Sequence, residues 1–133
     1  MRSLTKSAAR THAAEEDPRL RGRTYSIPFE DVWQSALRII GGEFRRAHVV
    51  SVDDVTGDIS VEVGVLIPRA TLDVAIRITL DNDAQTRVDM RVIARDRRFD
   101  LGASRRLILR FFALLDKALS KLDPARDNLP LAS

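Results

Sequence analysis

The chain has 133 residues, of which 44% are hydrophobic and 31% are charged, which is the size and composition of one globular domain. It has no cysteine, so disulfides, thiol chemistry and cysteine-ligated zinc or iron–sulfur centres are excluded. The formal net charge of +3 arises within residues 1–26, which hold six basic and three acidic groups. The rest of the chain is neutral, so the charge does not favour nucleic-acid binding.

The first segment, residues 1–24, is polar and basic and shows no sustained hydrophobic periodicity. We interpret it as a flexible arm, followed by one domain over residues 25–123 and a tail over residues 124–133. A weak nucleic-acid contact is an alternative use of the arm. No apolar run reaches the roughly 18 residues that a membrane span needs. There is also no apolar leader core, so we expect a cytoplasmic protein without a membrane span.

An amphipathic helix is predicted from about Pro28 to Ile40. Its apolar residues recur at helical spacing and form one stripe, which consists of Phe29, Val32, Trp33, Ala36, Leu37 and Ile40. Pro28 suits the first helical position. Gly41-Gly42 is expected to end the helix, because glycine adopts the left-handed conformation of a C-terminal cap. Trp33 is predicted to lie in the core.

Four strands are predicted from the alternation of apolar and polar residues, over residues 47–55, 58–67, 71–80 and 85–95. Thr56-Gly57 is a plausible tight turn, and the polar residues 81–84 form a loop. The simplest topology is a four-stranded antiparallel meander with one apolar and one polar face.

A second helix is predicted to start near Ser104, a good N-terminal cap, and to end before Pro124. Its core stripe consists of Leu107, Ile108, Phe111, Leu114, Leu115, Ala118, Leu119 and Leu122. Both helices and the sheet have a single apolar face, so both helices must pack on the same side of the sheet. The predicted fold is therefore α+β, a two-layer α-β-β-β-β-α arrangement with the other sheet face open.

Charged residues on the open face form the candidate binding site. A register that pairs Ile67 with Leu72 places Glu62 opposite Arg77, and a register that pairs Leu80 with Thr86 places Arg77 opposite Asp89. Opposite charges on a solvated sheet face often serve only as cross-strand pairs. Alternatively, the arginines bind a carboxylate or another anion. The residues singled out for that role are Asp73, Arg77, Arg91, Arg95 and Asp100.

A second candidate surface lies on the C-terminal helix. Leu109 and Phe112 fall off the core stripe and lie together, near Arg105 and Asp116. Two interpretations stay open: the pair covers the edge of the core, or it meets another protein chain. The exposed edges of an open sheet also make a homodimer reasonable.

The sequence carries little that points to an enzyme. No histidine, aspartate or glutamate cluster has metal-ligand spacing, and there is no glycine-rich phosphate loop or nucleophile elbow. We therefore expect no catalytic residue, metal or cofactor, and favour a non-enzymatic binding or accessory module that docks a protein partner or an anionic small molecule. The alternative is an enzyme acting on a small acid, with Asp100 or Asp73 as base and Arg91 and Arg95 as a substrate clamp.

One stretch also resembles a known family. The run Arg87-Val88-Asp89-Met90-Arg91-x-x-x-Arg95-x-x-x-x-Asp100-Leu101-Gly102 is similar to the signature of an uncharacterised family, domain of unknown function fourteen-ninety-nine (DUF1499). Leu72–Ile78 looks like a strand of that family and Asp53–Ile59 like one of its hairpins. The resemblance spans about Trp33 to Leu119.

The chain departs from the family signature at four small residues. Two serines of the signature are Val92 and Ala94 here, its glycine is Arg97, and its asparagine is Ser104. The resemblance implies the fold and marks the five charged residues named above, but it implies no activity.

Overall fold

The computed structural model describes residues 8–10, 22–65, 70–95 and 101–122. Along the chain the elements are β1 (Ala8–Arg10), β2 (Arg23–Tyr25), α1 (Phe29–Glu43), β3 (Ala47–Asp53), β4 (Asp58–Val65), β5 (Ala70–Leu80), β6 (Thr86–Ala94) and α2 (Leu101–Ser120). The predicted α+β class is confirmed, with both helices on one face of an antiparallel sheet.

The sheet has five strand positions, one more than predicted. The meander β3-β4-β5-β6 is present as expected, and β1 and β2 both pair antiparallel with the outer edge of β6. Ala9 lies opposite Val92 and Thr24 opposite Arg87. Each of these two strands has three residues, too few to show an alternation that could be recognised in the sequence.

These two strands belong to the N-terminal part of the chain, where an arm over residues 1–24 was expected. At Ala8–Arg10 and Arg23–Tyr25 the backbone instead forms part of the sheet. The division into arm, domain and tail otherwise stays a prediction, because the tail and most of the arm lie outside the described residues.

Helix α1 continues past the point where glycine was expected to end it. It includes Gly41 and Gly42 and ends at Glu43, although each internal glycine costs about 1 kcal/mol relative to alanine. A contact from α2 explains the extension: Arg110 donates a 2.8 Å hydrogen bond to the Glu43 carbonyl, and its guanidinium lies 4.6 Å from the centre of the Phe44 ring. The tertiary contact therefore supplies the partner that the last turn needs.

Helix α2 begins at Leu101, before the predicted start at Ser104. Ser104 is buried within the first turns and does not act as a cap. Ile108, Phe111, Leu115 and Leu119 are buried as predicted, whereas Leu122 is exposed. The core stripe was thus located correctly, but its ends were not.

The core lies between the two helices and one face of the sheet. It takes every second residue of β4, β5 and β6, as the alternation predicted. Trp33 is buried, as expected, and stacks on Phe29 with 5.5 Å between ring centres. Within the part of the chain that is described, no helix combines the length and the apolar character needed to cross a membrane.

Candidate functional site

The face of the sheet opposite the helices, called the open face below, carries the candidate site. Side chains alternate between the two faces of a strand, so residues that alternate with the core residues share this surface. Its central members, on β4, β5 and β6, are Asp58, Ser60, Glu62, Asp73, Ala75, Arg77, Asp89, Arg91 and Ile93. The surface mixes both signs of charge around a small central residue, Ala75.

The register between β4 and β5 differs from the predicted one by four residues. Arg77 lies opposite Asp58, and Glu62 lies opposite Asp73; the prediction of Glu62 opposite Arg77 was wrong. A shift by an even number of residues keeps every side chain on its own face, so the hydrophobic pattern could not distinguish the two registers. The prediction for β5 and β6 was correct, because Arg77 does lie opposite Asp89.

Arg77 is held by the carboxylate of Asp58. Its Nε and Nη2 donate to the two oxygens of Asp58, at 2.8 and 3.1 Å. This hydrogen bonding lowers the pKa of Asp58 and raises the pKa of Arg77. Asp89, on the other side of Arg77, is held by Arg87 of its own strand through two hydrogen bonds of 2.9 Å.

Arg95 links two carboxylates on neighbouring strands. Its guanidinium donates to Asp73 at 2.8 and 2.9 Å and to Glu62 at 2.5 Å. The hydrogen bonds that Arg95 donates to Asp73 and Glu62 raise the pKa of Arg95. Because Glu62 and Asp73 are opposite each other in the ladder, the guanidinium between them offsets the repulsion of two like charges.

Arg91 differs from these three arginines. It is exposed, lies opposite Ala75 of β5, and is opposite Arg10 in the register with β1. Among the described residues, no carboxylate forms an ion pair with it, whereas Arg77, Arg87 and Arg95 each have one. Within the described part of the chain, Arg91 is therefore the open-face arginine without a carboxylate partner, and it can offer its donors to a ligand.

Two open depressions adjoin Arg91, and both are lined by Arg91 and Ala75. One, of about 450 Å³, extends towards Asp58, Arg77 and Asp89. The other, of about 280 Å³, extends towards Glu62, Asp73 and Val50. The small side chain of Ala75 leaves the space that the two depressions share.

The expected pairing of Arg91 and Arg95 as one clamp does not match the geometry. Four residues along a strand correspond to roughly 13 Å, and Arg95 is already bonded to Asp73 and Glu62. Of the other predicted site residues, Asp73 and Arg77 belong to the surrounding ion pairs. Asp100 lies outside the described residues.

The second candidate surface, Leu109 and Phe112, is mostly inside the protein. Phe112 is fully buried, with Phe111 edge-on at 5.4 Å between ring centres, and Leu109 is partly buried against the core. Arg23 of β2 lies over the Phe112 ring, 4.7 Å from its centre. Phe112 is buried because the sheet beneath α2 is one strand position wider than predicted. It therefore covers the edge of the core and is not available to a partner.

Asp116, next to this pair, receives contacts from β2. The Tyr25 hydroxyl donates to it at 2.5 Å, and Arg23 lies at 3.6 Å. Burial, and then the hydrogen bond to Asp116, raises the pKa of Tyr25. These contacts attach β2 to α2, and they account for the charged residues that lie next to Phe112.

Sequence reasoning missed two residues of the site, Asp58 and Ala75. Both could have been found from the alternation, which places them on the open face. The described residues contain no group of three histidine, aspartate or glutamate side chains that could hold a metal ion. The arrangement can contribute hydrogen-bond donors and charge, centred on Arg91.

Comparison with known proteins identifies the family. The model of the family described as Protein of unknown function (DUF1499) matches residues 3–115, so the chain belongs to this family, as the sequence motif indicated. No curated protein sequence matches the chain. Among solved structures, CalU16 from Micromonospora echinospora is similar, with a TM-score of 0.48, 12% sequence identity and coverage of 91% of each chain.

Proposed function

We propose that this DUF1499 protein is a non-enzymatic binding module that holds an anionic group, a carboxylate or a phosphate, at Arg91 on its open face. The observation that carries this proposal is the contrast between Arg91 and its neighbours. Arg77, Arg87 and Arg95 each donate to a carboxylate of the sheet, whereas no described carboxylate pairs with Arg91.

The chemistry of the guanidinium supports an anionic ligand. An arginine side chain has five N–H donors in a planar fork that matches carboxylate and phosphate oxygens, and it stays charged at all physiological pH values. Arg91 lies at the junction of two depressions of about 450 and 280 Å³. A ligand can therefore place its anionic group against Arg91 while the rest of it occupies the floor around Ala75.

The surrounding charges restrict the ligand. Ion-paired carboxylates lie on either side of Arg91, with Asp89 in one direction and Asp73 in the other. A polyanion would approach these carboxylates as well as Arg91, so like-charge repulsion disfavours it. We expect a single anionic group on an otherwise neutral or mixed-charge ligand, either a small molecule or an acidic side chain on a protein partner.

The enzymatic alternative has less support. It needs Asp73 or Asp100 as a base, but Asp73 already accepts hydrogen bonds from Arg95 at both oxygens. Asp73 would have to give up those bonds to accept a proton. Asp100 lies outside the described residues, and no specific observation favours it as a base.

The test is a titration of the isotope-labelled protein with sodium acetate and sodium phosphate at constant ionic strength, followed by NMR. We expect saturable shifts at Arg91 and Ala75 that Arg91→Gln weakens by roughly tenfold or more, since a hydrogen bond to a charged group contributes about 1.5–3 kcal/mol. The matched control is Arg38→Gln, which removes an exposed arginine of α1, away from the open face, and should leave the affinity within about twofold.

A pulldown read by mass spectrometry distinguishes the two kinds of ligand. A protein captured by the wild type and by Arg38→Gln, but lost with folded Arg91→Gln, would identify a partner surface. Saturable anion binding without such a protein would indicate a small molecule. Shifts that do not saturate, or that persist unchanged in Arg91→Gln, would contradict the proposal.

A further inference from the structure

The outer edge strand β3 is exposed along nearly its whole length. It ends the order of strands in the sheet, and no strand among the described residues pairs with its free edge. Three of its seven residues are exposed valines: Val49 at 39%, Val50 at 55% and Val52 at 46%. An exposed edge with a row of apolar side chains is a template for pairing with another strand.

A bulge determines which side each residue of β3 occupies. Val49 pairs with Val61 and Ser51 with Ser60, so Val50 is the additional residue. Val49 and Val52 lie opposite the buried residues Val61 and Ile59 and are therefore on the helix side. Val50 and Ser51 both belong to the open side, since Val50 lines the depression next to Arg91 and Ser51 pairs with the open-face Ser60.

We infer that a second copy of this chain pairs antiparallel with β3, about a two-fold axis that passes between Val50 and Ser51. This inference goes beyond the proposed anion binding and does not depend on it. In an antiparallel pair, residues directly opposite each other share a face. A single bulge normally prevents an edge strand from pairing. Here the two-fold axis lies within the bulge, so the bulges of the two copies are opposite each other. Each residue of β3 is then opposite a residue on the same face of the sheet.

The resulting contacts are complementary. Val49 of one copy lies opposite Val52 of the other, twice, which places four exposed valines together on the helix side. His48 of one copy lies opposite Asp53 of the other, also twice. A shift of the axis by half a residue in either direction would place helix-side valines opposite open-side residues, so the side-chain pattern favours this register over its two neighbours.

The charges flanking β3 favour the same orientation. Arg45 and Arg46 precede the strand, Asp53 ends it and Asp54 follows it. Antiparallel pairing of two copies brings the basic end of each strand to the acidic end of the other, whereas parallel pairing would place like charges together. The partner that fits this edge is therefore strand β3 of a second copy, in antiparallel orientation.

The first experiment is sedimentation of the full chain over a range of concentrations. We expect a concentration-dependent dimer, which Val52→Lys weakens by roughly tenfold or more because two lysines then enter one apolar row. The matched control is Leu80→Lys, which changes an exposed apolar residue at the end of β5 and should leave the dimer unchanged. A wild type that stays monomeric, or a dimer unaffected by folded Val52→Lys, would overturn the inference.

The second experiment tests the register, and the absence of native cysteine makes it unambiguous. Val49→Cys and Val52→Cys are prepared separately, mixed and mildly oxidised. We expect disulfide-linked dimers in the mixture but not in either protein alone, because residue 49 of one copy is offset from residue 49 of the other by three positions, roughly 10 Å. Equal cross-linking in all three samples would reject this register.

Discussion

The hydroxyl of Tyr25 donates a 2.5 Å hydrogen bond to the carboxylate of Asp116, joining two residues 91 positions apart in the chain. One belongs to β2 and the other to α2, so the bond connects the fifth strand position of the sheet to the helix layer. Arg23 of the same strand lies over Phe112 of the same helix. The N-terminal strands are therefore part of the folded body, and their attachment can be measured.

Tyr25 is the only tyrosine, so its ionisation can be followed directly by phenolate absorbance. Burial and the bond to Asp116 raise its pKa above the ordinary value of about 10. In the folded protein we expect no phenolate at about pH 11, and in concentrated urea a titration near pH 10. If Tyr25 of the folded protein titrated near pH 10, its hydroxyl would not be buried against Asp116 and β2 would not pack on α2.

The same shift predicts how stability depends on alkaline pH. Because the folded-state pKa is raised, the contribution of Tyr25 is complete below about pH 10 and is lost as the pH rises further, by about 1.4 kcal/mol per pH unit. Urea unfolding across this range should show a steeper loss for the wild type than for Tyr25→Phe, which cannot ionise. Parallel curves for the two proteins would contradict the prediction.

The lowered pKa of Asp58 predicts that the stability of the protein depends on pH in the acid range. Hydrogen bonding by Arg77 lowers its pKa in the folded state, so the stabilisation is present above the unfolded-state value of about 3.9 and is lost as the pH falls through the lower, folded-state value. We expect Arg77→Ala to have a slightly lower melting temperature than the wild type at neutral pH. The two should become equal in strong acid, and a difference that persists there would assign the effect to packing.

Arg95 should matter more for stability than Arg91. Its removal leaves Glu62 and Asp73 facing each other across adjacent strands without the cation that bonds both. Arg95→Ala should lower the melting temperature by a few degrees, and adding Asp73→Asn should recover part of the loss because it removes the repulsion. Arg91→Ala is the control, with little expected change. Equal melting temperatures for all three variants would show that the ion pairs contribute nothing measurable.

Replacing glycine by alanine should have opposite effects on stability at Gly57 and at Gly41. Gly57 has a φ of +80°, and a Cβ there would collide with the Ile78 carbonyl oxygen. Gly57→Ala should therefore destabilise the protein by about 1–3 kcal/mol or more. A Cβ added at Gly41, inside α1, would meet no atom within 4 Å, and Gly41→Ala should stabilise by about 0.5–1 kcal/mol. Urea unfolding measures both, and a common sign would contradict the assigned conformations.

Much of the candidate site was accessible from the sequence because strand alternation places residues on faces. Asp73, Arg77 and Arg91 are on the open face as that pattern predicted. Which open-face arginine lacks a carboxylate partner among the described residues could not be predicted, because the ion pairs depend on the register of β4 against β5. The predicted register paired Arg77 with Glu62, whereas the structure pairs it with Asp58. It also assigned no carboxylate to Arg95, so Arg95 and Arg91 were expected to act together.

The sequence by itself determined the positions of the two helices, the four-stranded meander and the face of each residue in β4, β5 and β6, because the helix period and the two-residue strand period are local properties. The tertiary structure alone decided the β4–β5 register, since a shift by an even number of residues leaves that pattern unchanged. It also decided the fifth strand position, because three-residue strands have no readable period. The burial of Phe112 followed from that wider sheet, since the exposure of a helix face depends on what lies beneath it.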